Sequence, residues 1–422
     1  MSNIQLLNIP LFVIFLIGLF YSFREIKNHS HPFLFFLTAY YFFFFGVLSF
    51  YASIYIKDYN LPFDNQISIS VVIYLTAFIT AQLIGYIGIQ RFVNTETSFD
   101  NFDNLIPNII LAWSGITLVL MFYIFPIMSE LPSLPQLKHP FWCFSLATLT
   151  YLAMQKKIST AQILVLVGVV LLKLTLDLKN GLLTPIVFSV LIICSTSFFL
   201  GYRKITISCI IIIVLTVSSY GYVKYFAMNL ISGNTHAIFD FQPKFNFHNI
   251  KASVNAMSRR SSPALLTGHV FTKTPETIPF EDRNPFLDTI TNHVPRVLWA
   301  EKPIENHGNE FGRRYEVLNP GDLTTSWNIP WAVDLYITGG IYWSICWAFL
   351  IGILIGLGKR LIVILRDRTF EFGLYASTIL PLFYQESNIS LMAGNIFSFA
   401  GFLIFSWLLV RLLCKKRGLV RN

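Results

Sequence analysis

Charge is scarce in this sequence. Only 13% of its 422 residues are Asp, Glu, Lys or Arg, 54% are hydrophobic, and the mean hydropathy is +0.59. Soluble globular chains carry about a quarter charged residues, so a water-soluble domain is excluded and a polytopic membrane protein remains. Cysteine is scarce too: Cys143, Cys194, Cys209, Cys346 and Cys414 all lie in apolar segments or at the C-terminal tail, so the polar parts have no disulfide framework. No two acids stand at Asp-x-Asp spacing, and Asp100 and Asp103 precede an apolar run, so nothing suggests a nucleotide-sugar and divalent-metal site. Five of the eight histidines, His236, His248, His269, His293 and His307, share one polar stretch, but their separations match no zinc pattern. Gly356-Leu357-Gly358-Lys359 lacks both the spacing and the following Ser or Thr of a phosphate loop. No metal and no cofactor are expected.

What is present is a series of apolar runs. A helical span needs roughly 20 mostly apolar residues, and eleven candidates can be read: Ile4 to Phe23, Phe33 to Ile56, Ile67 to Ile89, Leu105 to Met128, Pro140 to Met154, Ile158 to Leu176, Leu182 to Leu200, Ile205 to Val223, Pro330 to Leu357, Phe372 to Tyr384 and Ile389 to Val410. Phe372 to Tyr384 is short for a crossing. The fold expected is all-α, with residues 1–223 supplying eight spans, 224–329 one large polar loop, and 330–422 three spans and a tail.

Basic residues set the orientation. Arg24 and Lys27, Arg91, Lys156 and Lys157, Arg203 and Lys204, the group from Lys359 to Arg368, and Lys415 to Arg417 fall in every second connection. The positive-inside rule makes those connections cytoplasmic, with the amino terminus and the large loop outside. Sixteen of the 31 basic residues are accounted for in this way, so the net charge of +9 is topological and gives no reason to expect nucleic acid as a partner. Met1 to Gln5 carries no basic n-region, so the first run is expected to be a retained helix.

The loop from Lys224 to Ile329 gathers cations and aromatics. Arg259, Arg260, Arg283, Arg296, Lys302, Arg313 and Arg314 accompany Trp299, Phe311, Tyr315 and Trp327, with Trp331 just beyond. Guanidinium forks hold phosphate oxygens in bidentate fashion, and Trp or Tyr faces suit the C–H side of a sugar ring. Pairing of these cations with the ten acids of the loop, or with headgroups, is the competing explanation. Arg296 and Lys302 stand out because Pro295 and Pro303 bracket them beside Trp299. A second cationic point is Lys179, in the turn Leu178-Lys179-Asn180-Gly181 before a new helix, where a bound anion or neutralisation by Asp177 are equal alternatives. Lys173, six residues deeper, is expected to snorkel outward.

These residues resemble a known family. Thr274-Pro275-Glu276-Thr277-Ile278-Pro279 and Val294-Pro295-Arg296-Val297-Leu298-Trp299-Ala300-Glu301-Lys302-Pro303 resemble the outward loop of bacterial Wzy-type O-antigen polymerases. Thr325-Ser326-Trp327-Asn328-Ile329-Pro330-Trp331-Ala332-Val333-Asp334-Leu335-Tyr336-Ile337-Thr338-Gly339-Gly340 looks like that family's entry into the next span, an acid before Leu-Tyr and then a Gly-rich turn. The Lys179 turn resembles a third family position, where Arg is usual and Lys stands here.

The resemblance implies an enzyme of the bacterial inner membrane. It would join undecaprenyl-pyrophosphate-linked glycan repeat units, donor and acceptor, at the outer face among membrane lipid, with a chain-length regulator as a further partner. A pyrophosphate leaving group is already activated, so the protein has to stabilise negative charge and orient the acceptor. Arg296, with Lys179, Lys302, Arg313 and Arg314, would meet that charge; Asp334 is the first choice of base and His307 the second. Arg283, Trp299, Trp327 and Tyr336 complete the expected substrate contacts. Asp334 as a plain helix-start acid is the alternative. Two other activities compete: a ligase moving finished glycan, and a transporter or flippase for lipid-linked sugars. The chain shows no internal repeat or mid-membrane polar break of the kind transporters carry.

Overall fold

The computed structural model describes residues 2–27, 31–59, 63–64, 66–92, 105–125, 127–130, 137–179, 184–218, 261–294, 299, 301, 306–365 and 367–417, with 229, 251, 254–255 and 258 singly. Among them there are helices and no strands. Six helices are long and apolar enough to cross a membrane: Asn3–Lys27, Phe33–Ile54, Ile69–Arg91, Leu105–Ile124, Thr160–Leu178 and Trp331–Val363. The protein is an all-helical, membrane-embedded chain.

In order, the elements are α1 Asn3–Lys27, α2 Phe33–Tyr40, α3 Ser49–Tyr59, α4 Ile69–Phe92, α5 Leu105–Ile124, α6 Ile127–Glu130, α7 Lys138–Met154, α8 Thr160–Lys179, α9 Thr184–Phe199, α10 Arg203–Ser218, α11 Pro263–Lys273, α12 Pro285–His293, α13 His307–Arg314, α14 Trp331–Val363, α15 Arg368–Leu374 and α16 Ile389–Lys416. A π-helical stretch, Tyr41–Leu48, joins α2 to α3. Each expected span overlaps a helix, but Phe372 to Tyr384 breaks into the end of α15, a π-turn over Tyr375–Ile379 and a 3₁₀ turn over Leu380–Phe383. Pro381 explains part of this, because it cannot donate to a continuing helical ladder.

The chain divides into two compact units. Residues 1–101, 261–366 and 378–402 form the first. Its core is the α4–α14 pair, which glycines bring into close approach: a Cβ on Gly352 would overlap the Gln82 carbonyl, and one on Gly85 the Phe349 carbonyl. Helices inside a bilayer gain attraction from backbone proximity of this kind. α14 is not one straight rod. Gly340 has φ +76°, a conformation that favours glycine, and it separates a short mouth helix from the long remainder. The expected Gly-rich turn is therefore a kink within α14.

The described parts of the polar loop add a folded cap to the first unit. His269 Nε2 lies 2.8 Å from the Tyr315 carbonyl, Tyr315 shares a 2.6 Å hydroxyl bond with Thr274, and Asn309 Nδ2 donates to the Asp322 and Thr325 carbonyls. α11 is thereby tied to α13, and α13 to the chain that leads into α14. Asp322 accepts from the Thr325 hydroxyl and from the Thr325 and Thr324 amides, and those bonds hold its carboxyl down at about 2.

Residues 102–260, 367–377 and 403–422 form the second unit. α7 is its centre: every residue from Phe141 to Thr150 is buried, as expected for a helix apolar all round. Lys173 does not snorkel. It is buried, pairs with Asp177 and lies 4.8 Å from the Trp142 ring. Since α8 continues to Lys179, positions 173 and 177 fall one helical turn apart, so Asp177 takes Lys173 as a partner. Tyr123 donates a further bond to Asp177 at 2.7 Å.

Candidate functional site

The first unit concentrates its titratable groups at the mouth helix of α14. Asp334 lies in the first turn and is fully buried. Its contacts are not those of a helix-start acid: Oδ1 accepts from the Arg283 guanidinium, and Oδ2 accepts from the Ile389 amide at 2.9 Å, at the start of α16. The Trp331 indole donates to the Ser387 carbonyl at 2.7 Å and the Trp331 amide to the Gln385 carbonyl at 3.2 Å, so the segment before α16 also holds the mouth helix. The kink contributes directly. Opening the helix at Gly340 frees the Ile337 carbonyl, which accepts from the Glu281 amide at 2.8 Å.

Arg283 is the hub. Besides Asp334 it contacts Glu281 through Nε at 3.3 Å and Asp288 through Nη1 at 3.3 Å. Burial works against its charge, yet Asp334, Glu281 and Asp288 together raise its pKa above the ordinary guanidinium value. Glu281 also meets Arg314, at 3.1 Å, and Arg314 donates to the Pro279 carbonyl at 2.6 Å. His307, first residue of α13, places Nε2 3.4 Å from Asp334 Oδ1 and 4.0 Å from Glu281 Oε2 without completing a hydrogen bond. Among the described residues three carboxylates thus face two guanidiniums, with the His307 imidazole beside them.

Four expected site residues therefore meet: Arg283, His307, Arg314 and Asp334. Arg283 bonds Asp334 as well as the loop acids Glu281 and Asp288, and Arg314 bonds Glu281 and the Pro279 carbonyl, which fits the competing explanation for these cations and makes them positioning groups for the carboxylates. Arg313 lies on another face of α13, about a third of a turn around the helix from His307, and its buried Nε has no partner among the described residues. Tyr336 does not offer a free ring. It stacks on Phe271 with centroids 3.9 Å apart and donates to the Thr274 carbonyl at 2.9 Å. Trp327 is half-buried, edge-on to Phe63, and Trp299 is 37% exposed. Arg296, Lys302 and the side chain of Lys179 lie outside the described residues, as do Arg259 and Arg260.

Glu281 and Asp288 were not legible as site residues in the sequence. The available signal was the crowding of Phe280-Glu281-Asp282-Arg283, with two acids immediately before an arginine. The partner across the chain, Asp334, could not be read from spacing.

Residues 33–415 match the family defined by a domain of unknown function, DUF8712. This chain belongs to that family. Comparison with curated proteins and with solved structures found no match. The match runs from α2 nearly to the end of α16, so the DUF8712 region contains every group in the cluster around Asp334.

Proposed function

We propose that this DUF8712 protein polymerises lipid-linked glycan repeat units on the outer face of a bacterial inner membrane, by glycosyl transfer from polyprenyl pyrophosphate. The topology assigned to it has about eleven crossings, the amino terminus and cap outside and the carboxyl terminus inside. The observation that carries the proposal is the pairing of His307 with the buried, arginine-held Asp334 in the segment that resembles the Wzy-type loop.

In this reading the two roles expected from sequence are exchanged. Asp334 is enclosed by Arg283 and the Ile389 amide, so it serves to orient and charge-compensate an imidazole. His307 is the base. With Nε2–H turned toward Asp334, the lone pair is left on Nδ1. His307 Nδ1 accepts the proton of the acceptor hydroxyl; the acceptor oxygen bonds to the anomeric carbon of the donor. The bond from that carbon to the pyrophosphate oxygen breaks, and its electron pair leaves on polyprenyl pyrophosphate. The 3.4 Å separation leaves room for the contact to shorten as the imidazole becomes charged, as catalytic bonds do on substrate binding. Arg296 and Lys302, in the connection between α12 and α13, are assigned to the leaving group. Glu281, Asp288 and Arg314 keep Arg283 and the cap in place.

Cells lacking this chain test the reading. Accumulated single lipid-linked repeat units with loss of long polymer are the expected result. Intact but unattached polymer would assign a ligase instead, and repeat units confined to the cytoplasmic leaflet would assign a flippase.

A further inference from the structure

The second unit contains a feature that the proposed chemistry does not use. A cavity of about 440 Å³ lies between α8, α9 and α10, lined by Val170, Leu174, Val190, Ile193, Ile205 and Ile212. Its size falls within the range of ligand pockets, but its walls are almost wholly apolar. The serines that reach it have their hydroxyls occupied: Ser189 receives the Trp142 indole at 2.8 Å and donates to the Pro185 carbonyl, and Ser208 donates to the Lys204 carbonyl at 3.0 Å. A sugar or nucleotide would find almost no hydrogen-bonding group on the walls to recognise it.

One lining residue is charged. Lys204, exposed, belongs to the first turn of α10 and also borders the cavity. Arg203 precedes it. Tyr202 donates through its hydroxyl to the Met154 carbonyl at 2.8 Å, which holds the start of α10 beside the end of α7, where exposed Lys156 and Lys157 follow. Four cations are thus gathered at one end of an apolar cavity in helices whose other faces, Leu164, Leu171, Ile207 and Ile211 among them, are exposed as lipid-facing residues would be.

We infer that the cavity between α8, α9 and α10 is a binding site for one anionic phospholipid, with an acyl chain in the apolar cavity and the phosphate on Lys204 and its basic neighbours. Apolar area and charge act together here. The chain removes the cavity's walls from contact with loosely ordered solvent or bulk lipid, and a basic residue near an anionic headgroup contributes attraction that a zwitterionic lipid does not share. The site is independent of the Asp334 cluster and of the reaction assigned to it.

Native mass spectrometry of the full chain in detergent, titrated with phosphatidylglycerol and with phosphatidylethanolamine of equal chain length, tests the inference. The wild-type chain should retain one phosphatidylglycerol in preference. Ile193→Trp, which fills the cavity, should lower that retention by at least about tenfold, the loss of some 1.4 kcal/mol of binding. Lys204→Gln should reduce the preference over phosphatidylethanolamine about fivefold, as roughly 1 kcal/mol per basic residue implies. Leu164→Trp, on an exposed face of α8, should change neither quantity. Val190→Phe repeats the cavity test if Ile193→Trp elutes as aggregate. Retention unaffected by both cavity variants, loss of lipid in Leu164→Trp as well, or a preference that survives Lys204→Gln would each overturn the inference.

Discussion

Two ion clusters sit on the same helix of the first unit and differ in how completely they are satisfied. Near the far end of α14, Lys359 is buried and has three partners: Glu25 at 2.6 Å, the His31 carbonyl, and the Tyr86 hydroxyl at 2.9 Å. An ammonium has three donors, so each donor of Lys359 is matched and its charge is closed against Glu25. At the mouth end, Asp334, Glu281 and Asp288 outnumber Arg283 and Arg314, and His307 stands beside them with Nε2 unbonded. A closed buried pair holds helices in register, whereas carboxylates in excess beside an imidazole are an arrangement suited to proton transfer.

Removing one partner from each cluster should therefore have opposite signatures, and the largest effect on folding belongs to the closed one. Lys359→Met leaves Glu25 without its cation and should cost roughly 3 to 5 kcal/mol, the range for breaking a buried pair. Thermal unfolding in detergent would show it as a large fall in Tm, and adding Glu25→Gln should recover part of the loss. An unchanged Tm would mean that this pair contributes no more than a surface bridge.

Arg283→Lys sharpens the contrast at the mouth. The charge stays but the planar fork is lost, and each charge-assisted hydrogen bond given up is worth roughly 1.5 to 3 kcal/mol. Turnover of lipid-linked repeat unit should fall at least tenfold while Tm moves by only a few degrees, because the cap retains its α11–α13 ties. Equal loss of stability and activity would make this cluster structural like the other.

A smaller effect is expected from pH. His269 in the cap has its pKa lowered from 6.5, chiefly by burial, against the opposing bond to the Tyr315 carbonyl. The folded cap thus favours the neutral ring, so its stabilising contribution is present above the unfolded value and is lost as pH falls through the lowered folded value. Hydrogen exchange in Pro263–Lys273 should accelerate modestly between pH 7.5 and pH 5, and His269→Gln should remove that dependence. Exchange independent of pH in the parent would contradict the assignment.

Much of the fold was readable because membrane helices announce themselves through long apolar runs, and the Gly339-Gly340 pair marked the bend. Phe372 to Tyr384 was the poorest match, since an apolar run does not reveal that a proline will divide it. Lys173 and Asp177 were readable in principle: their spacing of four is that of a helical pair, once α8 is allowed to reach Lys179. The site was only partly legible. Asp334 and His307 could be nominated from residue type and neighbourhood, but which of them is enclosed depends on Arg283 and on the Ile389 amide, 51 and 55 positions from Asp334. Chain folding alone decides that.

The exchange of roles between these two residues is the central claim, and a double-mutant cycle in the purified protein tests it most directly. With abundance matched, His307→Ala and Asp334→Asn should each slow turnover of lipid-linked repeat unit by about 10²- to 10⁴-fold, the usual contribution of general base catalysis, with His307→Ala the more severe. The double variant should be hardly slower than His307→Ala, because an orienting carboxylate has nothing left to orient. Full activity in His307→Ala, or losses that multiply in the double variant, would contradict the account.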